Sequence, residues 1–103
     1  MVAAMSIVTG PALGMGDYAR MAREAIEGWL RGYDGYRGVI VFTDEDGQRA
    51  RIITLWDTPE AELSSRHGRT AMRDQVVAAA GMVVESVELY EVPVCEVLPE
   101  RDN

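Results

Sequence analysis

The chain has 103 residues, of which 48% are hydrophobic and 26% charged, and its formal net charge at neutral pH is -7. This length and composition predict a single globular domain over residues 1–103 with one buried core. The acidic excess repels phosphate groups, and the sequence contains no cluster of basic and aromatic residues. We therefore expect no nucleic-acid partner.

Three features of the sequence bear on the cellular compartment and on metal binding. They are the single cysteine, the single histidine and the N-terminal segment. Cys95 is the only cysteine, so no disulfide can form within the chain, and a reducing cytoplasmic compartment is expected. One histidine and one cysteine cannot supply a four-ligand zinc site, and nothing in the sequence requires a metal or another cofactor. The apolar N-terminus has no basic residue before Arg20 and is too short to span a bilayer, so we expect no secretory signal and no membrane association.

The first third of the chain predicts a strand, a loop and a helix. Residues 1–9 predict the strand and residues 12–16 a flexible loop. From Asp17 onwards, apolar residues recur every three or four positions, which predicts an amphipathic helix with Gly32 as its C-cap. The apolar stripe of this helix consists of Tyr18, Met21, Ala22, Ala25, Ile26, Trp29 and Leu30.

The centre of the chain predicts a β-hairpin followed by a second helix. Two runs of β-branched and aromatic residues, 39–42 and 51–56, flank an acidic loop in which Gly47 suits a positive φ. Thr58 and Pro59 then predict a helix start, because threonine can cap a helix and proline is tolerated in its first turn.

The second helix is expected to reach about residue 80, where Gly81 ends it. An interruption at residues 63–65 is left open, and it would separate a short turn from a longer helix. The apolar face consists of Met72, Val76 and Ala79. Towards the N-terminus the same face continues with the small or polar residues Gly68, Arg69 and Ser65.

A long final strand is predicted over residues 82–98, followed by a frayed tail. Pro93 is expected at a bulge or a sheet edge, because proline cannot donate to a ladder. Cys95 is expected to be a small buried apolar residue. Strict alternation places Val84, Tyr90 and Val92 on one side of the strand and Val83, Val87 and Leu89 on the other.

The element order β-α-β-β-α-β predicts a ferredoxin-like α+β fold, in which two helices cover one face of a four-stranded antiparallel sheet. On the second hairpin strand, Ile52 and Trp56 face one way and Ile53 and Leu55 the other, so both sheet faces are apolar. The face without helices would be too large an apolar patch for a monomer. We therefore expect a homodimer that closes two sheets face to face.

Three segments carry a family resemblance: residues 35–38 (GYRG), 54–61 (TLWDTPEA) and 84–92 (VESVELYEV). Together with the element order they resemble the dimeric α+β barrel superfamily, in particular its antibiotic biosynthesis monooxygenase-like branch. The resemblance implies a dimeric α+β barrel and a cofactor-independent monooxygenase that acts on a phenolic or polyketide-like aromatic molecule. The alternative is a non-catalytic dimeric protein that binds a small ligand or a partner, because one fold hosts many functions.

The haem-degrading branch of the superfamily uses an Asn on the first strand and a Trp and a His in the second helical region. Here the first strand offers Ile7 and Thr9 but no Asn. The position expected for the Trp falls near Ser65, and that expected for the His falls near Gln75 or Val76. The resemblance therefore argues against haem degradation and against a haem cofactor.

His67 is the candidate general acid or base, since an unperturbed imidazole titrates near neutral pH. In a regular helix, however, it lies opposite the apolar face, which predicts exposure to solvent. Arg69 is available to an anionic or phenolic oxygen of a small aromatic ligand, and Trp56 offers a ring wall and one N–H donor. The candidate substrate-binding residues are Trp56, Ser65, Arg69, Met72 and Trp29.

Overall fold

The computed structural model describes residues 1–99, apart from the side chains of residues 12–15 and 25–27. Residues 100–103, in the predicted frayed tail, lie outside the described residues. The sheet has the antiparallel order β2-β3-β1-β4, which confirms the predicted ferredoxin-like α+β fold. The elements are β1 (Val2–Thr9), α1 (Ala12–Gly28), a 3₁₀ helix (Leu30–Gly32), β2 (Tyr36–Thr43), β3 (Arg49–Trp56), α2 (Pro59–Ala79) and β4 (Val83–Glu91).

Helix α1 begins five residues earlier than its apolar stripe predicts. It starts at Ala12, directly after Pro11, so the segment predicted as a flexible loop is the first turn of the helix. The fixed φ of proline suits the entry to a helix. Each glycine within the helix costs about 1 kcal/mol relative to alanine, which weakens a helix without preventing it.

Helix α1 also ends earlier than predicted, at Gly28. The backbone of Trp29 leaves the helical region with a φ of -146°, and the chain continues into the 3₁₀ helix. Gly32 is therefore not the C-cap of α1, although Leu30 is buried as the stripe predicts. Two further residues of that stripe, Ala25 and Ile26, lie outside the described side chains.

Helix α2 is continuous, so the interruption left open at residues 63–65 does not occur. The hydroxyl of Thr58 accepts a hydrogen bond from the N–H of Ala61 at 3.1 Å, which confirms the predicted N-cap. At the other end, Gly81 adopts a φ of 72° and closes a Schellman motif, which confirms it as the terminating residue.

The main core lies between the far end of α2 and the sheet. Val77 of α2 and the C-cap residue Ala80 are buried there, whereas Ala79, predicted on the apolar face, is exposed. Ala79 lies about 100° around the helix from Ala80, outside the buried stripe. The core cluster consists of Val8, Tyr18, Ala50, Val77, Ala80 and Met82.

Strand β4 ends at Glu91, seven residues before the predicted end. The N–H of Val92 still donates to the carbonyl of Met1 at 3.0 Å, and Pro93 then has no N–H with which to continue the ladder. Cys95, predicted to be buried, is exposed because it lies beyond the last paired residue.

The irregularity in β4 lies at Glu85 rather than at Pro93. The pairing of β4 with β1 shifts there by one residue, as in a β-bulge. Val84 consequently shares the sheet face of Val87 and Leu89, so the predicted strict alternation is wrong on this strand.

The sheet face turned away from the helices carries large apolar side chains. Ile40 pairs with Ile53 and Phe42 with Arg51, and residues paired directly across antiparallel strands share a face. Ile40 and Phe42 remain 41% and 43% exposed within the described chain. The prediction that both faces of the sheet are apolar is therefore confirmed.

Gly68 marks a close approach between α2 and the segment that links α1 to β2. A Cβ atom at Gly68 would overlap the hydroxyl oxygen of Tyr33 and lie 3.3 Å from a ring carbon of Trp29. These two rings contact each other edge to face, with their centroids 5.1 Å apart. The absence of a side chain at Gly68 therefore allows the helix to pack against them.

We expect Gly68→Ala to lower the free energy of unfolding by about 1–3 kcal/mol, because overpacking outweighs the better helix propensity of alanine. Gly16→Ala is the matched control, since Gly16 is also helical and has no atom within 4 Å of a built Cβ. That control should be neutral or stabilising by up to about 1 kcal/mol. Urea denaturation measures both, and a stabilised Gly68→Ala protein would contradict the packing described above.

Candidate functional site

The candidate site is a pocket between the helices and the sheet. Its cavity volume is about 90 Å³, and the pocket opens to solvent at its mouth. Alternate residues of the central strands form its floor, because every second side chain of a strand faces the helices. The small side chain of Ala22 on α1 helps to leave the space open. The apolar wall includes Ala4, Ala22, Val39, Val41, Ile52 and Val76.

Three of the six predicted site residues line this pocket: Trp29, Arg69 and Met72. Trp56 and Ser65 do not line it but are buried behind it, where both contact Arg69. His67 is exposed, as its helical phase predicts, and does not line the pocket.

Arg69 connects the pocket wall to the buried end of β3. Its guanidinium carbon lies 4.7 Å from the ring centroid of Trp56, within cation–π distance. Its Nε donates to the hydroxyl of Ser65 at 2.9 Å, and its Nη1 donates to the hydroxyl of Thr54 at 3.4 Å. The same Thr54 oxygen accepts from the indole N–H of Trp56 at 2.9 Å, which fixes the ring against the cation.

Glu62 is the counter-ion of this arrangement. Its side chain is only 3% exposed, and its carboxylate accepts hydrogen bonds from Arg66 and Arg69. The hydrogen bond from Arg66 holds the pKa of Glu62 below its usual value; burial opposes this shift and the charge of Arg69 reinforces it. Burial lowers the pKa of Arg69, and the Glu62 carboxylate counteracts that change. One buried carboxylate therefore pairs with two guanidinium groups beneath the pocket wall.

The burial of Glu62 was not predicted from the sequence, because acidic side chains are rarely buried unless they are paired. The available signal was the spacing of Glu62, Arg66 and Arg69, which places all three on one side of a helix. The spacing alone does not predict that Glu62 is buried. Its burial also depends on Thr54 and Trp56 of β3, which contact Arg69, the partner of Glu62.

Arg73 forms a second polar position, one helical turn beyond Arg69. Its Nη1 donates to the hydroxyl of Ser6 at 3.4 Å, and its Nε and Nη2 donate to Asp74 at 3.2 and 3.0 Å. Burial raises the pKa of Tyr18, another pocket residue, to about 12, and the positive charge of Arg73 opposes this shift. Tyr18 therefore stays protonated near neutral pH and can donate a hydrogen bond.

The pocket combines an apolar wall with cationic and hydroxyl donors. Among the lining residues that the structure describes, none is an aspartate, glutamate or histidine. This arrangement suits an aromatic ligand with a phenolic or anionic oxygen. Within the described part of the chain, no group of three or more metal-ligating side chains is placed to hold an ion, and the cofactor-free protein stays a prediction.

Comparison with solved structures finds the same fold in several proteins. A candidate antibiotic biosynthesis monooxygenase from Deinococcus radiodurans has a TM-score of 0.72 at 16% identity, over 97% of this chain and 100% of its own. The ActVA-Orf6 monooxygenase of Streptomyces coelicolor, solved with the ligand Nanaomycin D, has a TM-score of 0.66 at 14% identity, over 96% and 91%. SnoaB, a cofactor-independent oxygenase from Streptomyces nogalater, has a TM-score of 0.62 at 18% identity, over 96% and 97%.

These similarities confirm, at the level of the fold, the predicted resemblance to antibiotic biosynthesis monooxygenase-like proteins. No protein-family model and no curated protein sequence matches the chain. Neither of the two described helices is long and apolar enough to cross a membrane.

We expect Glu62→Gln to lower the free energy of unfolding at pH 7 by about 3 kcal/mol, because it leaves Arg69 buried without its counter-ion. The folded-state pKa of Glu62 is depressed, so its contribution is present above the unfolded-state pKa and is lost as the pH falls through the folded-state value. The difference from wild type should therefore shrink below about pH 4.

The control for this experiment is Glu60→Gln, which removes an exposed carboxylate from the same first turn of α2. This substitution also removes a favourable interaction between a carboxylate and the helix dipole, which should lower the free energy of unfolding by less than about 1 kcal/mol. Urea unfolding at pH 7 and pH 3 separates the two variants. If Glu60→Gln and Glu62→Gln lowered the free energy of unfolding equally, the buried ion pair would contribute no more to stability than an exposed carboxylate does.

Proposed function

We propose that the chain is a cofactor-independent monooxygenase acting on a phenolic or polyketide-like aromatic molecule, in the cytoplasm. The observation that carries this proposal is an apolar pocket into which Arg69 and Arg73 project cationic groups. The fold similarity to SnoaB, a cofactor-independent oxygenase, and to a monooxygenase solved with Nanaomycin D supports it.

In the proposed reaction the substrate itself supplies the electrons that reduce oxygen. Nearby cations favour the deprotonated form of a bound phenol or anthrone, which lowers its pKa. The resulting anion transfers electrons to O₂, and its reacting carbon exchanges two hydrogens for one oxygen atom. Anthrone and one O₂ thereby give anthraquinone and one water. Arg69 and Arg73 stabilise the negative charge in this scheme, and the exposed His67 has no assigned step.

The alternative is a non-catalytic dimeric protein that binds a small aromatic ligand. It is favoured by the absence of a carboxylate or imidazole among the described lining residues, since such a group would ordinarily accept the substrate proton. The two functions differ in turnover, because a binding protein holds the ligand without consuming oxygen.

Oxygen uptake with anthrone in metal-free buffer separates these functions. We expect uptake above the spontaneous rate, with one O₂ consumed per anthrone and anthraquinone as the product. Ala22→Phe should return the rate to the spontaneous value, because the larger ring fills the pocket. Ala19→Phe places the same ring on the exposed side of α1 and should leave the rate unchanged. Binding of anthrone without oxygen uptake would favour the alternative.

We also propose that the chain forms a homodimer through the open face of its sheet. Ile40 and Phe42 are exposed there, alongside the apolar side chain of Ile53. Burial of apolar surface contributes about 25 cal/mol per Å², so covering such a face favours association of two copies. This arrangement would complete the dimeric α+β barrel implied by the resemblance.

Light scattering at micromolar concentration should give about twice the chain mass of 11.3 kDa. Phe42→Glu should shift the protein to the monomer mass, because it introduces a charge into the interface. Leu63→Glu is the control, since Leu63 is also an exposed apolar residue but lies on α2, away from the sheet face. A monomeric wild type would contradict the proposed dimer, as would dissociation by both substitutions.

A further inference from the structure

We infer that the pocket recognises an aromatic ligand that bears a carboxylate, and that Arg73 is the residue that pairs with this carboxylate. The inference rests on the proposed function, because it narrows the ligand of the same pocket. It concerns the charge of the ligand, which the fold similarity leaves open.

The charged side chains among the described lining residues are cationic, whereas the chain as a whole has a net negative charge. The sequence contains seventeen acidic and ten basic residues, yet the described lining residues include two arginines and no acidic residue. In a protein of net charge -7, long-range electrostatics repel an anion. A local cationic site surrounded by apolar walls therefore favours a ligand with a single negative charge over a more highly charged one.

Arg69 is not the free cation of this pair. Its side chain is 13% exposed and forms an ion pair with the buried carboxylate of Glu62. Its Nε, Nη1 and Nη2 also donate to Ser65, Thr54 and the backbone carbonyl of Glu62, the last at 3.1 Å. Glu62, which also pairs with Arg66, therefore offsets part of the charge of Arg69, and the Arg69 guanidinium is held against Trp56.

Arg73 has a weaker and replaceable partner. Its carboxylate partner, Asp74, is the next residue in the chain, and the Asp74 side chain is 58% exposed. Exposed ion pairs of this kind contribute between about 0 and 1 kcal/mol. A ligand carboxylate in the less polar pocket can accept a bidentate pair from the same guanidinium, which is the stronger interaction.

Two hydroxyl donors complete the carboxylate position. Ser6 lies on β1 with its hydroxyl 3.4 Å from Nη1 of Arg73, and Tyr18 faces the pocket from α1. The phenol of Tyr18 is protonated at neutral pH, as tyrosine ordinarily is, and burial raises its pKa further, to about 12. The ligand ring would then lie against Ile52 and Val41, which share the sheet row of Ser6.

The test compares 2-naphthoate with its neutral analogue 2-naphthalenemethanol by titration calorimetry at pH 7. We expect wild type to bind the carboxylate at least tenfold more tightly, with a preference that weakens as salt concentration rises. Arg73→Gln should abolish the preference and leave binding of the alcohol unchanged. Arg20→Gln removes an equal charge from an exposed position on α1 and should keep the preference.

The outcomes distinguish this inference from the proposed function. Equal binding of both probes by wild type would overturn the inference and leave the aromatic pocket intact. The same conclusion would follow if Arg73→Gln retained the tenfold preference. The wild-type comparison and its salt dependence decide the question even if the variant fails to fold. Binding of neither probe would overturn both the inference and the assignment of this pocket as the ligand site.

Discussion

The cation of Arg69, held between the indole of Trp56 and the carboxylate of Glu62, determines how helix α2 sits on the sheet. A charge with this little exposure to water must be compensated at close range, or it destabilises the fold. Glu62 belongs to the first turn of α2 and Trp56 to the end of β3, so the ion pair and ring contact of Arg69 fix the helix start against that strand. The position of the pocket wall follows, because Met72 and Val76 lie further along the same helix.

An aromatic cluster extends this constraint to the other helix. Trp56 contacts Tyr33 and Tyr36 edge to face, with centroid distances of 6.2 and 5.7 Å, and Tyr33 contacts Trp29 in the same way. Such ring pairs have preferred orientations and add stabilisation beyond the buried area. The segment that follows α1 is thereby tied to β3 and β2, and this tie closes one end of the pocket.

Much of the fold was predictable because its signals are local. The cap at Thr58 and the terminating Gly81 follow from the chemistry of one or two residues. The β4 bulge at Glu85 was not predictable, because it depends on pairing with a distant strand. The start of α1 was also missed, since two glycines and a proline in the sequence are compatible with either a loop or a weak helix.

The site was less predictable than the fold, for a related reason. Arg69 and Met72 follow from the helical period, but Arg73 does not stand out on a helix with several arginines. Glu62 was missed because charged residues are ordinarily exposed, and only partners on α2 and β3 make its burial favourable. Trp56 and Ser65 were predicted to contact a ligand directly, whereas both are buried behind the pocket wall and contact Arg69.

The pocket is also a part of the core that the chain leaves unfilled. Small side chains such as Ala4 and Ala22 leave room where larger ones would bury more surface, so the unliganded fold forgoes packing free energy. A ligand that occupies this space binds the native state alone and shifts the folding equilibrium towards it. The abundance of the folded protein would then depend on the concentration of its ligand. Selection for stability alone would favour closing the gap, at the expense of binding.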